Sequence, residues 1–261
     1  MKENDLAMKK YLVLIACAAL LLVSCKEQVD TKRLMEGTWV CADVNNLNIP
    51  TDRMLTLDFE HNGIVTLSQG VKRDGSHSEF VSVPLKYQVD DQTFTINGIF
   101  IGNDSLNMKF DIVSLTKDKL IANLVNVTNN ALVNRPLGKY TFTKVYTPNK
   151  HLNAIHGEWE GYRHKAGTDK FDSLATIKMQ FTGSRAFVFS KRFNDNWSSC
   201  DGTFTLYQDK MAVNYATEVS SYYDCWEIVS VNSTEMMLRK YSADSDTASM
   251  VDIIRYKMVK L

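Results

Sequence analysis

Leu55-Thr56-Leu57-Asp58-Phe59, then Asn62-Gly63, then Ile64-Val65-Thr66-Leu67 is the stretch that decides the fold. Its first run alternates apolar and polar residues, the period of a half-buried β-strand. Asn-Gly between two such runs predicts a hairpin whose two turn residues both take positive φ. Further short runs lie at Thr38–Ala42, Val81–Val89, Thr93–Ile96, Met108–Leu115, Leu120–Val125 and Tyr140–Val145. Together they predict about eight strands. Long helical patterns are absent, and only 4 prolines and 12 glycines occur in the chain.

The order of segments then repeats. Gly37-Thr38-Trp39 matches Gly157-Glu158-Trp159, and Leu55-x-Leu57-x-Phe59 matches Ile177-x-Met179-x-Phe181. Val65 and Leu67 match Phe187 and Phe189; Tyr87-x-Val89 matches Phe204-x-Leu206; Phe94-x-Ile96 matches Met211-x-Val213. Phe110–Leu115 matches Trp226–Val231, and Tyr140–Val145 matches Tyr256–Leu261. Matched segments in one order predict two homologous all-β domains, residues 31–146 and 154–261. Between them, residues 147–153 read as a linker, because Pro148 and Asn149 interrupt regular structure.

At the N-terminus, Lys9 and Lys10 precede an apolar run, Tyr11 to Val23, and then Leu22-Val23-Ser24-Cys25. A basic start, an apolar core and a small residue before the cut describe an export signal. The run falls short of the ~20 apolar residues that span a bilayer. Leu22-Val23-Ser24-Cys25 resembles the lipobox of bacterial lipoproteins. The resemblance implies cleavage after residue 24, acyl chains such as palmitate on Cys25, and a lipidated tether over residues 25–30. More than one acyl chain on a residue gives stable anchoring. Lys26 stands where an aspartate would resemble an inner-membrane retention signal. The expected place is therefore the cell envelope, at the outer membrane, with the membrane as a partner through the lipid.

A Gly-x-Trp on the first strand, followed by a meander of short antiparallel strands, resembles the lipocalin-like domains of secreted bacterial lipoproteins. The expectation is two tandem small up-and-down β-barrels behind a lipoprotein signal peptide. The resemblance puts Trp39 and Trp159 across the closed end of each barrel. An eight-stranded barrel is just wide enough to be filled by side chains or to hold one small ligand. Inferred inward positions in the second repeat are Met179, Phe181, Phe187, Phe189, Phe204 and Met211; in the first they are Leu57, Phe59, Val65, Leu67, Tyr87 and Phe94. Volume then places any internal pocket in the first barrel, lined by Leu57, Phe59, Val65, Leu67 and Tyr87, the alternative being that neighbouring side chains close the gap.

Charge adds little. Lys and Arg number 30, Asp and Glu 30, with no basic stripe, so no nucleic-acid partner is expected. His61, His77, His151, His156 and His164 form no metal-ligand spacing, and no metal site is expected. No nucleophile elbow or phosphate-binding glycine loop occurs, so neither catalytic residues nor a cofactor are expected. Asp90-Asp91 and Gly102-Asn103-Asp104-Ser105 read as turns. Cys200 and Cys225, placed just before two inferred strands, are either a disulfide in an oxidising compartment or two separate thiols. Trp197, Tyr222 and Tyr223 form an aromatic group that reads as a binding face for a glycan or peptide, as a hairpin end, or as a self-association patch.

These readings predict a non-enzymatic binding or accessory module on the envelope, with a small apolar ligand, a glycan or an envelope protein as partner. The alternative is a structural or inhibitory subunit presenting loops from solid barrels. A hydrolase with an unrecognised site is the remotest reading.

Overall fold

The computed structural model describes residues 30–49, 54–72, 78–101, 104–128, 135–165, 167–216, 221–243 and 250–261. Cys25, the segment before it, His77 and the Gly102-Asn103 turn lie outside the described residues. The chain forms two antiparallel β-barrels in tandem. The first is built from β1 (Gly37–Val44), β2 (Leu47–Asn48), β3 (Leu55–Phe59), β4 (Ile64–Lys72), β5 (Ser78–Val89), β6 (Thr93–Ile101), β7 (Asp104–Leu115), β8 (Lys119–Thr128) and β9 (Gly138–Lys144). The second is built from β10 (Gly157–Arg163), β11 (Ile177–Thr182), β12 (Ala186–Phe193), β13 (Asn196–Tyr207), β14 (Lys210–Ala216), β15 (Ser221–Val231), β16 (Glu235–Ala243) and β17 (Met250–Lys260). β1 pairs with both β2 and β3, every later strand of each barrel pairs with the next, and β1–β9 and β10–β17 close the two cylinders. Closure removes the unpaired edges that an open sheet would expose. The small β2 was not foreseen; it continues the β1 hairpin through Asp43↔Asn48 and Val44↔Leu47.

The two barrels share much of their register, although the shift between Cys41 and Asp43 in β1–β9 has no counterpart in β10–β17. Trp39 stands opposite Leu57, and Trp159 opposite Met179. Phe94 pairs with Phe110 where Met211 pairs with Trp226. A register shift falls between Ile112 and Ser114 in β7, and another between Ile228 and Ser230 in β15. Such bulges are specific features of a sheet rather than noise.

The Gly-x-Trp motif forms the same plug twice. A short helix, Thr31–Met35 or Leu152–Ile155, precedes each motif. Trp39 Nε1 donates to the Met35 carbonyl at 2.6 Å, and Trp159 Nε1 to the Ile155 carbonyl at 2.7 Å. Each indole is wholly buried and meets one partner for its N–H, as a buried tryptophan requires. The Lys144 ammonium lies 5.0 Å from the Trp39 ring and the Lys260 ammonium 5.2 Å from that of Trp159. Gly37 and Gly157 have φ of +103° and +117°, a conformation that side chains avoid. A Cβ at Gly157 would also stand 2.7 Å from Lys260 Cε, so the glycine leaves room for the lysine stem.

The opening turn differs from its expected form. Only Gly63 has positive φ, at +86°. Gly63 N donates to Glu60 O and Glu60 N to Ile64 O, so His61-Asn62-Gly63 is a three-residue loop ending in a left-handed glycine. Asn62 acts through its side chain instead, accepting from Ile64 N at 2.9 Å.

Cross-strand partners offset part of the difference in size between the inward residues of the two barrels. Val65 pairs directly with Leu85, and its counterpart Phe187 pairs with Gly202. Likewise Leu67 faces Val83 where Phe189 faces Cys200. In the Val65/Leu85 layer the larger residue sits on β5, whereas in the Phe187/Gly202 layer it sits on β12, so there the large and small members have exchanged strands. Tyr87, Phe59, Phe94, Phe110, Tyr140 and Phe142 then run through the first barrel as successive ring contacts of 4.5–6.1 Å.

Candidate functional site between the barrels

The sequence-predicted residues fall into two sets, of which only the first is gathered in one place. Leu57, Phe59, Val65, Leu67 and Tyr87 are all buried in the first core, at most 4% exposed. The Tyr87 hydroxyl is committed to the Glu60 carbonyl at 2.8 Å. The aromatic group is dispersed because successive residues of a strand face opposite sides. Tyr222 and Tyr223 lie within β15, not at a hairpin end. Tyr222 stacks on Tyr215 at 5.4 Å, while Tyr223 stacks on Phe80 of the first barrel. Trp197 lies within β13, 37% exposed, with the Lys178 ammonium 4.9 Å from its ring.

Cys200 and Cys225 are free thiols, which corrects the disulfide alternative. They lie inside β13 and β15 rather than before them, with β14 between. Cys200 pairs with Phe189, which packs on the second core. Cys225 pairs with Ala212 and packs against the first barrel. The two thiols thus face opposite sides of the barrel wall.

The joint between the barrels gathers residues that the sequence did not connect. Val40, Met54 and Phe80 of the first barrel meet Tyr207, Ala212, Tyr223 and Cys225 of the second in one apolar cluster. Cys225 Sγ donates to Met54 Sδ at 3.3 Å. The Tyr207 hydroxyl bonds the Thr56 side chain, and burial pushes that phenol above its ordinary range. Burial likewise pushes the Cys225 thiol up to about 11.

Beside this cluster opens a cleft of about 250 Å³, lined by Val40, Ala42, Ile49 and Thr143 on one side. Tyr207, Gln208, Asp209, Lys210 and Glu227 line the other. The turn Gln208-Asp209 joins β13 to β14, with Gln208 at φ +58°. The linker holds it from three directions. Asn149 Nδ2 donates to the Gln208 carbonyl at 2.9 Å, Lys150 Nζ reaches Asp209 Oδ1 at 2.7 Å, and His151 Nε2 reaches the same oxygen at 2.6 Å. An ionised carboxylate only accepts, so the imidazole donates. Gln208 Nε2 donates to the Lys144 carbonyl, tying the turn to the end of the first barrel. Burial alone would raise the Asp209 carboxyl, but its bonds to Lys150 and His151 outweigh burial and hold it below the ordinary value.

The rest of the rim is set by β-pairing. Lys210 stands directly opposite Glu227, and Glu227 opposite Arg239. Glu227 Oε2 accepts from Arg239 Nε at 3.1 Å and Nη2 at 2.9 Å. No carboxylate of the described residues lies within ion-pair distance of Lys210. Nothing in sequence spacing joins Asn149 to Gln208, and residues 147–153 read in sequence as no more than a linker.

Asp90 accepts from Gln92 N and Thr93 N at 2.9 and 2.7 Å, so it caps its turn. Among the described residues no cluster of His, Cys, Asp and Glu has a metal-binding arrangement.

No protein-family model matches the chain, and no curated protein does. Among solved structures, it is similar to a lipocalin-like protein from Bacteroides uniformis, at 10% identity and TM-score 0.29, covering 41% of this chain and 99% of that one. A protein from Bacteroides eggerthii is similar at 11% identity and TM-score 0.30, covering 41% and 98%. A protein of unknown function from Nostoc punctiforme, of the DUF3598 family, is similar at 13% identity and TM-score 0.27, covering 87% and 97%. In class, the chain is an all-β protein with two tandem lipocalin-like barrels. That class rests on strand order, closure and the paired tryptophan plugs.

Proposed function

We propose that this chain is a lipid-anchored cell-envelope protein that binds a small molecule without transforming it, and that the ligand sits between the barrels. The cleft at the joint is the observation that carries the reading. Its walls mix apolar side chains with a few fixed polar groups, the usual make-up of a ligand site. Both barrel interiors are dense with buried aromatic and aliphatic side chains, which favours the joint. The anchor follows from Leu22-Val23-Ser24-Cys25, and the outer membrane from Lys26. Among the described residues no helix is long and apolar enough to cross a membrane.

Native mass spectrometry of residues 26–261 tests the binding role. A co-purifying mass that disappears in Ala42→Trp, which fills the cleft, supports it; a mass that persists in that variant places the ligand elsewhere. For the anchor, Cys25→Ala abolishes fatty-acid labelling in cells; labelling that survives the substitution removes the lipoprotein reading.

A second reading has one observation of its own. Phe193, 56% exposed, and Trp197 flank the tip of the β12–β13 hairpin. Exposed aromatics on a tip suit a module that presents loops to an envelope protein. Co-purification that is lost with Phe193→Ser and Trp197→Ser, but not with Ala42→Trp, would favour it.

A further inference from the structure

We infer that the cleft takes a small organic anion, an apolar body ending in a carboxylate, whose charge is held by Lys210. The inference rests on the cleft being the ligand site and adds the ligand's chemistry. Three observations carry it.

The first is charge. Five ionic side chains stand on or next to the cleft besides Lys210: Asp209, Lys150, His151, Glu227 and Arg239. Both carboxylates are engaged, Asp209 by Lys150 and His151, Glu227 by Arg239. Glu227 had a choice of cations, because Lys210 and Arg239 are both its cross-strand partners. It bonds through two nitrogens of Arg239, the planar fork that suits a carboxylate better than an ammonium. Lys210 is left as the cation with a donor to offer. Lys210, Lys150 and Arg239 set against Asp209 and Glu227 leave one positive charge in excess.

The second is the floor. Val40, Ala42 and Ile49 present hydrocarbon opposite that ammonium, and Val40 and Ile49 are buried. An inorganic anion would leave this wall in contact with nothing but water, whereas a hydrocarbon body covers it.

The third is size. An apolar cavity of about 150 Å³ accepts benzene, so 250 Å³ holds a ring or short chain together with its carboxylate. It is too small for a diacyl lipid, whose removal from water needs a far longer groove.

The geometry of both barrels also explains why the site needs the tandem arrangement. Lys210 begins β14 of the second barrel, and the hydrocarbon wall belongs chiefly to β1 of the first. Neither barrel alone has both halves.

Isothermal titration of the purified protein with octanoate, and with octan-1-ol as the neutral analogue of equal length, tests the inference. Octanoate should bind at least about ten-fold more tightly than octan-1-ol. Lys210→Met should remove that preference, weakening octanoate about ten-fold while octan-1-ol changes less than about two-fold; Lys210→Arg should restore most of it. Those sizes are what loss of one charge-assisted hydrogen bond produces. Equal binding of the two probes, or octanoate binding unchanged in Lys210→Met, overturns the anion assignment while leaving the cleft intact as a site. Failure of both probes to bind overturns the inference as well, and the native mass measurement then judges the binding role separately. Octanoate binding that survives Ala42→Trp, in protein whose thermal melt is unchanged, overturns the cleft itself. Thr143→Trp blocks the cleft from its other wall if the first variant does not fold.

Discussion

Tyr223 of the second barrel stacks on Phe80 of the first, with ring centroids 5.0 Å apart and planes inclined by 18°. Tyr223 is only 4% exposed, so its ring is buried by the partner barrel rather than by its own. Around it lie Val40, Met54 and Cys225, which in a separated barrel would face water. The two barrels are therefore coupled by burial of apolar surface. Phe80→Ala should cost about 2 kcal/mol, from lost area and ring stacking, and should loosen the joint more than either core. Scanning calorimetry checks it: the native chain melts in one transition and Phe80→Ala resolves into two. An unchanged single transition would show that the stack does not couple the barrels.

The linker clasp sets a pH dependence. The Asp209 carboxyl is held below its ordinary value of 3.8 in the folded chain, with burial opposing and Lys150 and His151 prevailing. The folded state thus takes up this proton less readily than the unfolded one. Its contribution is complete above the ordinary carboxyl range and is lost as pH falls through the folded value. Thermal melts of the native chain and Asp209→Asn should differ most well above the ordinary carboxyl value and draw together as pH falls below it. A gap that stays constant down to pH 3 would mean the carboxylate has no net effect on stability. The side chain is half exposed, so the gap will be small and will shrink with salt.

Much of this architecture is written in the chain, and the limits of legibility are physical. Alternation and the repeat located the barrels because period-2 burial leaves a direct mark on composition, as at Leu55–Phe59. The repeat even extended to Lys144 and Lys260, although only the structure shows why: each ammonium lies over its tryptophan plug. Strand ends were read too short, since β13 begins at Asn196 with polar residues that alternation cannot distinguish from loop. Interior volume is not legible from Val65 and Phe187 alone, because each shares its layer with a cross-strand partner that only the register identifies. The cleft was invisible for a different reason. It joins Val40 to Lys210 across two independently closed sheets, and no local pattern encodes which outer faces meet.

The three described cysteines should differ in reactivity. Burial pushes the Cys225 thiol up to about 11 and raises Cys41 further still. Thiolate, not thiol, is the nucleophile, so both are inert at pH 8. Cys200 is half-buried on the inner side of β13. Iodoacetamide at pH 8 followed by peptide mass analysis should label Cys200 ahead of the other two, and all three equally in denaturant. Early labelling of Cys225 in the native chain would mean the joint opens readily in solution.

The exchanged pairs Val65/Leu85 and Phe187/Gly202 make the sharpest test of packing. Val65→Phe alone inserts a ring against Leu85 in a filled core and should cost about 1–3 kcal/mol. Leu85→Gly alone leaves a void and should cost about 2–5 kcal/mol. Together they recreate the arrangement of the second barrel, so the double variant should be more stable than the sum predicts by about 1–3 kcal/mol. The reverse exchange is not equivalent. A Cβ on Gly202 would stand 2.2 Å from the Asn214 carbonyl oxygen and 2.9 Å from Tyr215 Cβ, whatever occupies position 187. Backbone cannot yield as a side chain does, so Gly202→Ala should destabilise the second barrel and Phe187→Val should not rescue it. Urea unfolding of the two double-mutant cycles decides the matter: coupling in the first and none in the second is expected. Equal coupling in both would mean that side-chain volume alone governs the site and that the close approach of β14 to Gly202 relaxes freely.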